Sequence, residues 1–221
     1  DNRMVDLEDC SFKFIIGKEK ASTYNTSDKE GNIWFGAWGP QLTIYHPETD
    51  TRRFLSLPHD KGEKENIFIR TFFPQKNGSG MWVLTGNHGL FLVDKKEGVI
   101  REYQYDPEND NSLLSGQNYD ARLDEKGDLW IGSSMGLSKL MVETNSFSHY
   151  TLENGLASPM VYSILPYEDK GLWLGTANGI SYFDLATETF LNFTTENGLG
   201  NTEYNTHAAY RSKEGLSLIH I

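Results

Sequence analysis

The spacing of the tryptophans constrains the fold of this chain more than any other feature. Trp34, Trp82 and Trp130 are 48 residues apart, and Trp173 follows after another 43. Three of them have a glycine two residues later, namely Gly36, Gly132 and Gly175. The tetrapeptide Glu-Asn-Gly-Leu also recurs after 43 residues, at 153–156 and 196–199. Two landmarks that share one period predict a repeat architecture, in which each copy is covered by its neighbours.

Each copy predicts four short strands. In the last full copy they are expected at Met160–Leu165, Leu172–Thr176, Ile180–Leu185 and Thr189–Thr194. The turns between them, at 168–171 and 178–179, contain Asp, Asn and Gly, which tolerate the backbone angles of tight turns. No apolar stripe with helical period is sustained. A further strand is expected near the beginning of the sequence, at Phe12–Ile16.

Four short antiparallel strands in 40–48 residues are typical of a β-propeller blade. We therefore predict an all-β fold of four full blades with partial blades at both ends. The predicted boundaries are 1–27 for the end of a preceding blade, 28–70, 71–118, 119–161 and 162–205 for four blades, and 206–221 for the start of a last one. The recurring indole is expected to fill the space between adjacent blades.

Composition excludes several classes of partner. The net charge is −11, with a pI near 5.0, and such a surface repels phosphate backbones, so no nucleic acid is expected. Cys10 is the single cysteine, so no internal disulfide can form, and we expect a buried thiol. No apolar run approaches the ~18–20 residues that span a bilayer. The acidic segment Asp1–Glu8 is not typical of a signal peptide.

The segment Leu172-Trp-Leu-Gly-Thr-x-Asn-Gly-Ile, followed by Phe183-Asp184, resembles the two-component regulator propeller repeat. The segment Leu129-Trp-Ile-Gly-Ser-x-x-Gly-Leu resembles it too, and residues 201–215 resemble the last blade of such sensors. Gln41, which stands where the family usually has glycine, and the sequence after Gly215 depart from the pattern. The resemblance implies part of a seven-bladed propeller, although a closed five-bladed ring is an alternative. It also implies the periplasmic region of a bacterial hybrid two-component histidine kinase, whose membrane and kinase segments would lie outside this chain.

No catalytic constellation is visible in the sequence. The six histidines lack metal-pair spacing, and most carboxylates fall in the repeated turns. Residues 106–111 resemble a calcium loop only loosely, because the glycine and the distal glutamate are missing. Nucleophile-elbow and phosphate-binding glycine motifs are absent from the sequence. We therefore expect a binding protein without cofactor or metal.

Ligand binding is expected where the second-to-third hairpins and the fourth-to-first connections of the blades share one face, here named the loop face. The candidate residues on it are Trp38, Asn87, His88, Tyr119, Met135, Tyr162, Asn178 and Asn201. Trp38 is the one tryptophan outside the repeat, and an exposed aromatic ring near amides suits a sugar. Tyr119 and Tyr162 both lie 11 residues before their repeat tryptophan, so a structural role is as open as a binding one.

Three functions remain open at this point. The first is a sensor region that binds a ligand, by family resemblance an oligosaccharide. The second is a scaffold that binds another protein or forms a homodimer. The third is a propeller lyase, for which His88 would be the candidate residue. The resemblance itself implies a periplasmic location.

Overall fold

The computed structural model describes residues 3–5, 12–14, 22–59, 67–76, 78–201, 203–204, 209–211 and 217–219. The chain divides into two compact units, residues 1–102 and 103–221. Each contains two four-stranded antiparallel sheets and a two-stranded sheet. Each four-stranded sheet follows chain order from one edge strand to the other, as in a propeller blade.

The first unit holds blades 1 and 2. Strands β1 (Arg3–Val5) and β2 (Phe12–Phe14) pair with each other. Blade 1 consists of β3 (Ser22–Ser27), β4 (Ile33–Ala37), β5 (Gln41–His46) and β6 (Thr51–Ser56). Blade 2 consists of β7 (Ile69–Pro74), β8 (Met81–Thr85), β9 (Leu90–Asp94) and β10 (Gly98–Tyr103), which ends at the division between the units.

The second unit holds blades 3 and 4. Blade 3 consists of β11 (Asn118–Leu123), β12 (Leu129–Ser133), β13 (Leu137–Met141) and β14 (Ser146–Tyr150). Blade 4 consists of β15 (Val161–Tyr167), β16 (Gly171–Thr176), β17 (Gly179–Asp184) and β18 (Thr189–Phe193). Short 3-10 helices at Leu152–Asn154 and Thr195–Asn197 follow the two blades. Strands β19 (Ala209–Arg211) and β20 (Ser217–Ile219) pair at the end.

These sheets confirm the predicted fold class, and the four strands predicted in the last full copy are present within about two residues. The strand predicted at Phe12–Ile16 is observed over Phe12–Phe14. Its last two residues and Cys10 lie outside the described part of the chain. Blade 1 begins before the predicted boundary at residue 28, because Ser22–Ser27 pairs with Ile33–Ala37. The predicted boundaries at 70/71, 118/119 and 161/162 fall inside or at the ends of β7, β11 and β15, and the boundary at 205/206 lies outside the described residues.

The repeated tryptophan fills space inside the units. Trp34 lies in a buried cluster that includes Ile69 and Phe72 of blade 2. Trp130, 2% exposed, contacts the ring of Phe183 in blade 4 at a centroid distance of 5.5 Å. Trp82 is also fully buried. Trp173 differs from this prediction, because it is half-buried and its ring contacts are with Tyr182 and Phe193 of its own sheet.

The glycine two residues after Trp34 and after Trp130 allows a close approach of the next blade. A Cβ at Gly132 would lie 2.6 Å from the carbonyl oxygen of Val161, and one at Gly36 would lie 2.7 Å from Cγ2 of Ile69. Real Cβ atoms do not make contacts that short, so a side chain at either glycine would push the first strand of the next blade away. The glycine is therefore part of how one blade packs on another.

Two of the repeated turns anchor the indole itself. The Asp28 carboxylate accepts hydrogen bonds from the backbone N–H groups of Glu30 and Asn32 and, at 3.1 Å, from Nε1 of Trp34. The Asp124 carboxylate accepts from Nε1 of Trp130 at 3.3 Å. These carboxylates thus satisfy the polar atom of a buried ring, which agrees with the structural role that their repetition indicates.

The recurring Glu-Asn-Gly-Leu sequence closes blades 3 and 4 with a capped helical turn. The side chain of Thr151 accepts a hydrogen bond from the N–H of Glu153, and Oδ1 of Asn154 accepts from the N–H of Thr151 at 2.8 Å. Gly155 then takes a left-handed conformation, with φ 97°. The second copy, after Thr194, repeats these contacts. A reciprocal cap of this kind fixes how the chain leaves one blade for the next.

Candidate ligand-binding face

The four second-to-third hairpins each present one residue directly before a glycine with positive φ. These residues are Trp38 before Gly39, His88 before Gly89, Met135 before Gly136, and Asn178 before Gly179. In blades 2, 3 and 4 a hydroxyl closes the hairpin by donating to the carbonyl of that glycine and accepting from the N–H of the tip residue. The hydroxyls belong to Thr85, Ser133 and Thr176, at distances of 2.8–3.2 Å. The predicted candidates His88, Met135 and Asn178 therefore occupy one equivalent position, whereas blade 1 has Ala37 at the position of the hydroxyl residue.

Each of these three hairpins is also bonded to the connection that enters its own blade. The N–H of Gly86 donates to the carbonyl of Phe68 at 2.7 Å, and the N–H of Ser134 to Gln117 at 3.0 Å. Ala177 donates likewise to Met160 at 3.3 Å. The hairpins and the connections therefore lie on the same face within each blade, as the sequence analysis expected.

A β-bulge interrupts the first strand of every blade at the same place. The register shifts around Thr23, Arg70, Tyr119 and Tyr162, which are the extra residues. A bulge leaves its extra residue out of the ladder and redirects the side chain. This explains why two of the predicted residues, Tyr119 and Tyr162, have equal spacing to their tryptophans.

In the second unit, two bulge residues form an aromatic pair. The rings of Tyr119 and Tyr162, the tyrosine pair, are 5.0 Å apart between centroids and tilted by 58°. Both are half-buried, and the Tyr162 hydroxyl donates to Sδ of Met160 at 3.2 Å. Burial raises the pKa of Tyr162, and the nearby carboxylate of Glu203 and the phenol of Tyr119 raise it further. The Tyr162 phenol therefore stays neutral and able to donate at physiological pH.

The other candidates of this unit lie on the surrounding loops. Met135 is 55% exposed, and Asn178 is exposed, with Nδ2 3.5 Å from the carbonyl of Ala157. Asn201 is half-buried. Met135 and Asn178 are hairpin tips, whereas the tyrosine pair lies on the first strands of blades 3 and 4.

Asp120 directly follows Tyr119 on β11, and the sequence analysis did not select it. The carboxylate is 1% exposed. Its Oδ1 accepts from the N–H of Ala121 at 2.9 Å and from Nη1 of Arg122 at 2.8 Å, and its Oδ2 accepts from the N–H of Ile164 at 2.9 Å. Burial raises the pKa of Asp120 to about 6, although Arg122 and the N–H donors act in the opposite direction. An acid inside a predicted strand was the signal that could have identified it.

In the first unit, the candidates gather around Phe68. Trp38 remains 57% exposed and meets the edge of the Phe68 ring at a centroid distance of 4.2 Å. Oδ1 of Asn87 accepts from the N–H of Phe68 at 3.3 Å. The ring of His88 is half-buried, and its Nδ1 has no hydrogen-bond partner among the described residues. Phe68 was missed because it precedes β7 without any alternating pattern.

Neither metal binding nor a membrane helix is observed in the described part of the chain. No group of three or more His, Cys, Asp or Glu side chains there could hold a metal ion. Within the same residues, no helix combines the length and the apolar character needed to cross a bilayer.

Comparison with known proteins extends the fold assignment. No protein-family model and no curated protein matches the chain. Among solved structures it is similar to an extracellular domain from B. thetaiotaomicron described as part of a hybrid two-component system (TM-score 0.71, 20% identity, 88% of this chain and 27% of that one). A second extracellular domain from that organism, described as part of a one-component system, gives a TM-score of 0.72 at 19% identity, over 92% of this chain and 29% of that one.

The chain is built of β-propeller blades. It also resembles virginiamycin B lyase from Staphylococcus aureus, with a TM-score of 0.66 at 14% identity, over 97% of this chain and 75% of the lyase. These propeller blades span less than a third of the length of the two extracellular domains.

Proposed function

We propose that this propeller region senses a ligand for a bacterial two-component receptor and that the tyrosine pair on the loop face binds an oligosaccharide. The observation that carries the proposal is the placement of Tyr119 and Tyr162. Equivalent bulges lift both rings out of neighbouring strands and leave them half-buried and 5.0 Å apart. The repeat tryptophans of blades 1 to 3, by contrast, are buried.

The chemistry of this surface suits a sugar. Aromatic faces pack against the C–H faces of pyranose rings, while neutral phenols and amides exchange hydrogen bonds with hydroxyl groups. The phenol of Tyr162 stays protonated, and the amide of Asn178 is exposed at a neighbouring hairpin tip. Met160, which accepts a hydrogen bond from the Tyr162 hydroxyl and is 38% exposed, adds adaptable apolar surface beside that ring.

The receptor context is supported by two lines of argument. The repeats resemble the propellers of two-component sensors, and the fold matches two extracellular domains from signalling proteins of B. thetaiotaomicron. We place the chain in the periplasm, with the kinase and the membrane segment in other parts of the parent protein. Ligand binding would then bias the conformation that these parts adopt.

Isothermal titration calorimetry on the full chain tests the ligand class, with maltohexaose, cellohexaose and xylohexaose as probes. At least one should give saturable heat, and Tyr119→Ala and Tyr162→Ala should each weaken it roughly 2- to 10-fold. Tyr182→Ala is the matched control, because Tyr182 is a half-buried tyrosine that contacts Trp173 in the middle of blade 4. Equal affinities in all three variants would remove the tyrosine pair from the site.

One observation favours a second function, a protein-binding scaffold or homodimer. The fourth strands expose large apolar side chains, of which Phe54 is 58% and Leu191 57% exposed. Exposed apolar surface on an edge strand invites contact with another chain. Sedimentation equilibrium distinguishes the two functions: a dimer that Leu191→Glu dissociates supports the scaffold, and a monomer at all concentrations contradicts the homodimer.

A further inference from the structure

The carboxylate of Asp120 connects the two strands that carry the tyrosine pair. Asp120 directly follows Tyr119 on β11, and it accepts the N–H of Ile164, two residues after Tyr162 on β15. Strands β11 and β15 are edge strands of separate sheets, so no ladder of backbone hydrogen bonds sets their spacing. A buried charge-assisted hydrogen bond between them fixes where one ring stands relative to the other.

The blade itself does not require an acid at this position. Asp120 lies opposite Gly132 in its sheet, and the corresponding residues are Tyr24 opposite Gly36, Thr71 opposite Leu84, and Ser163 opposite Gly175. None of these three is ionisable near neutral pH. An acid in one blade out of four therefore serves something particular to that blade.

We propose that Asp120 is a positioning residue for the tyrosine pair and that its protonation weakens ligand binding there. This inference rests on the proposed function for the binding step only. When the carboxyl gains a proton, one of its oxygens becomes a donor facing N–H groups that also donate. One of the bonds from Ala121, Arg122 or Ile164 must then lengthen or break. The bond to Ile164 is the one that joins the two sheets.

Few charged groups act on Asp120. Arg122 on its own strand pairs with Oδ1 at 2.8 Å. The adjacent strand β12 and the facing strand β15 contain no Asp, Glu, Lys, Arg or His. Burial raises the pKa of Asp120 to about 6, so the change of charge falls between mildly acidic and neutral pH. Among the described residues, Arg122 is the charged side chain that bonds to Asp120, so its removal should move this change to higher pH.

Amide NMR of the full chain, without any ligand, tests the positioning role. In the wild type, the Ile164 amide and the ring signals of Tyr119 and Tyr162 should shift together as pH rises from about 4.5 to about 8. Asp120→Asn should abolish this titration, and Arg122→Gln should move its midpoint upward. Asp124→Asn is the control, because Asp124 contacts the Trp130 indole instead and should leave the Ile164 titration unchanged.

Calorimetry with whichever of the three hexaoses binds tests the consequence. The wild type should bind about fivefold more weakly near pH 5 than near pH 7.5, and Asp120→Asn should bind with little dependence on pH. An Ile164 amide that does not titrate, or that titrates equally in Asp120→Asn, would overturn the role of Asp120. A normal titration without binding of any hexaose would refute the proposed ligand class and leave the positioning role standing.

Discussion

The contact between Gly132 and Val161 gives a sharp test of how the blades pack. In Gly132→Ala, the new Cβ would lie 2.6 Å from the Val161 carbonyl oxygen and 2.9 Å from its Cγ1. Ordinary contacts of this kind begin near 3.4 Å, so β15 must move away from β12 by several tenths of an ångström. Overpacking of this size costs about 1–3 kcal/mol, because a backbone oxygen cannot rotate out of the way.

Urea unfolding of matched glycine variants measures this cost. In the same unit, a Cβ at Gly116 would be 4.0 Å from Tyr105, and one at Gly200 would meet nothing within 4 Å. Neither glycine has a positive φ. Gly116→Ala and Gly200→Ala should therefore be neutral or stabilising by up to about 1 kcal/mol, since alanine reduces the entropy of the unfolded chain. A Gly132→Ala variant as stable as these two would refute the close approach of blades 3 and 4.

Three further predictions concern the tryptophans and the carboxylates. Trp130→Ala should destabilise the chain by about 3–5 kcal/mol in urea unfolding, and Trp173→Ala by clearly less, because Trp130 is buried and Trp173 is half-buried; equal losses would contradict this. In the folded chain, burial raises the pKa of Asp120 from 3.8 to about 6. The free energy of unfolding should therefore fall by up to about 3 kcal/mol as pH rises from about 4 to about 6. In Asp120→Asn this dependence of stability on pH should be weaker. For Asp28, burial raises the pKa, but hydrogen bonds from Asn32, Trp34 and Glu30 lower it below 3.8. The contribution of Asp28 to folding stability should therefore be present above about pH 4 and be lost as pH falls further. The free energies of unfolding of Asp28→Ala and the wild type should converge in acid.

Much of the fold could be predicted from the sequence, because the signals were local. A tryptophan at regular spacing marks the second strand of each blade, and in three of the four blades a glycine follows two residues later. The strand Ser22–Ser27 was assigned to the preceding blade because its sequence, STYNTS, lacks the apolar alternation that marks a half-buried strand. Its assignment to blade 1 comes from pairing with Ile33–Ala37, which a pattern within six residues does not contain.

The site was predictable only in part, because its decisive contacts are distant in sequence. The hairpin positions of Trp38, His88, Met135 and Asn178 follow from the repeat, and the structure gives the last three one shared geometry. Whether any of them binds a ligand stays a prediction. The importance of Asp120 depends on Ile164, which is 44 residues away. Phe68 likewise becomes part of the candidate site only through its ring contact with Trp38, which is distant in sequence.

In these hairpins, the residues that fix the backbone are different from the residue that the loop exposes. In blades 2, 3 and 4 the hydroxyl and the glycine that close the loop bond to the backbone, so they hold whatever side chain stands between them. An imidazole, a thioether and an amide already occupy that position in these three blades. Such a surface can acquire a new specificity by exchanging single tip residues, while every strand, bulge and buried ring stays as it is.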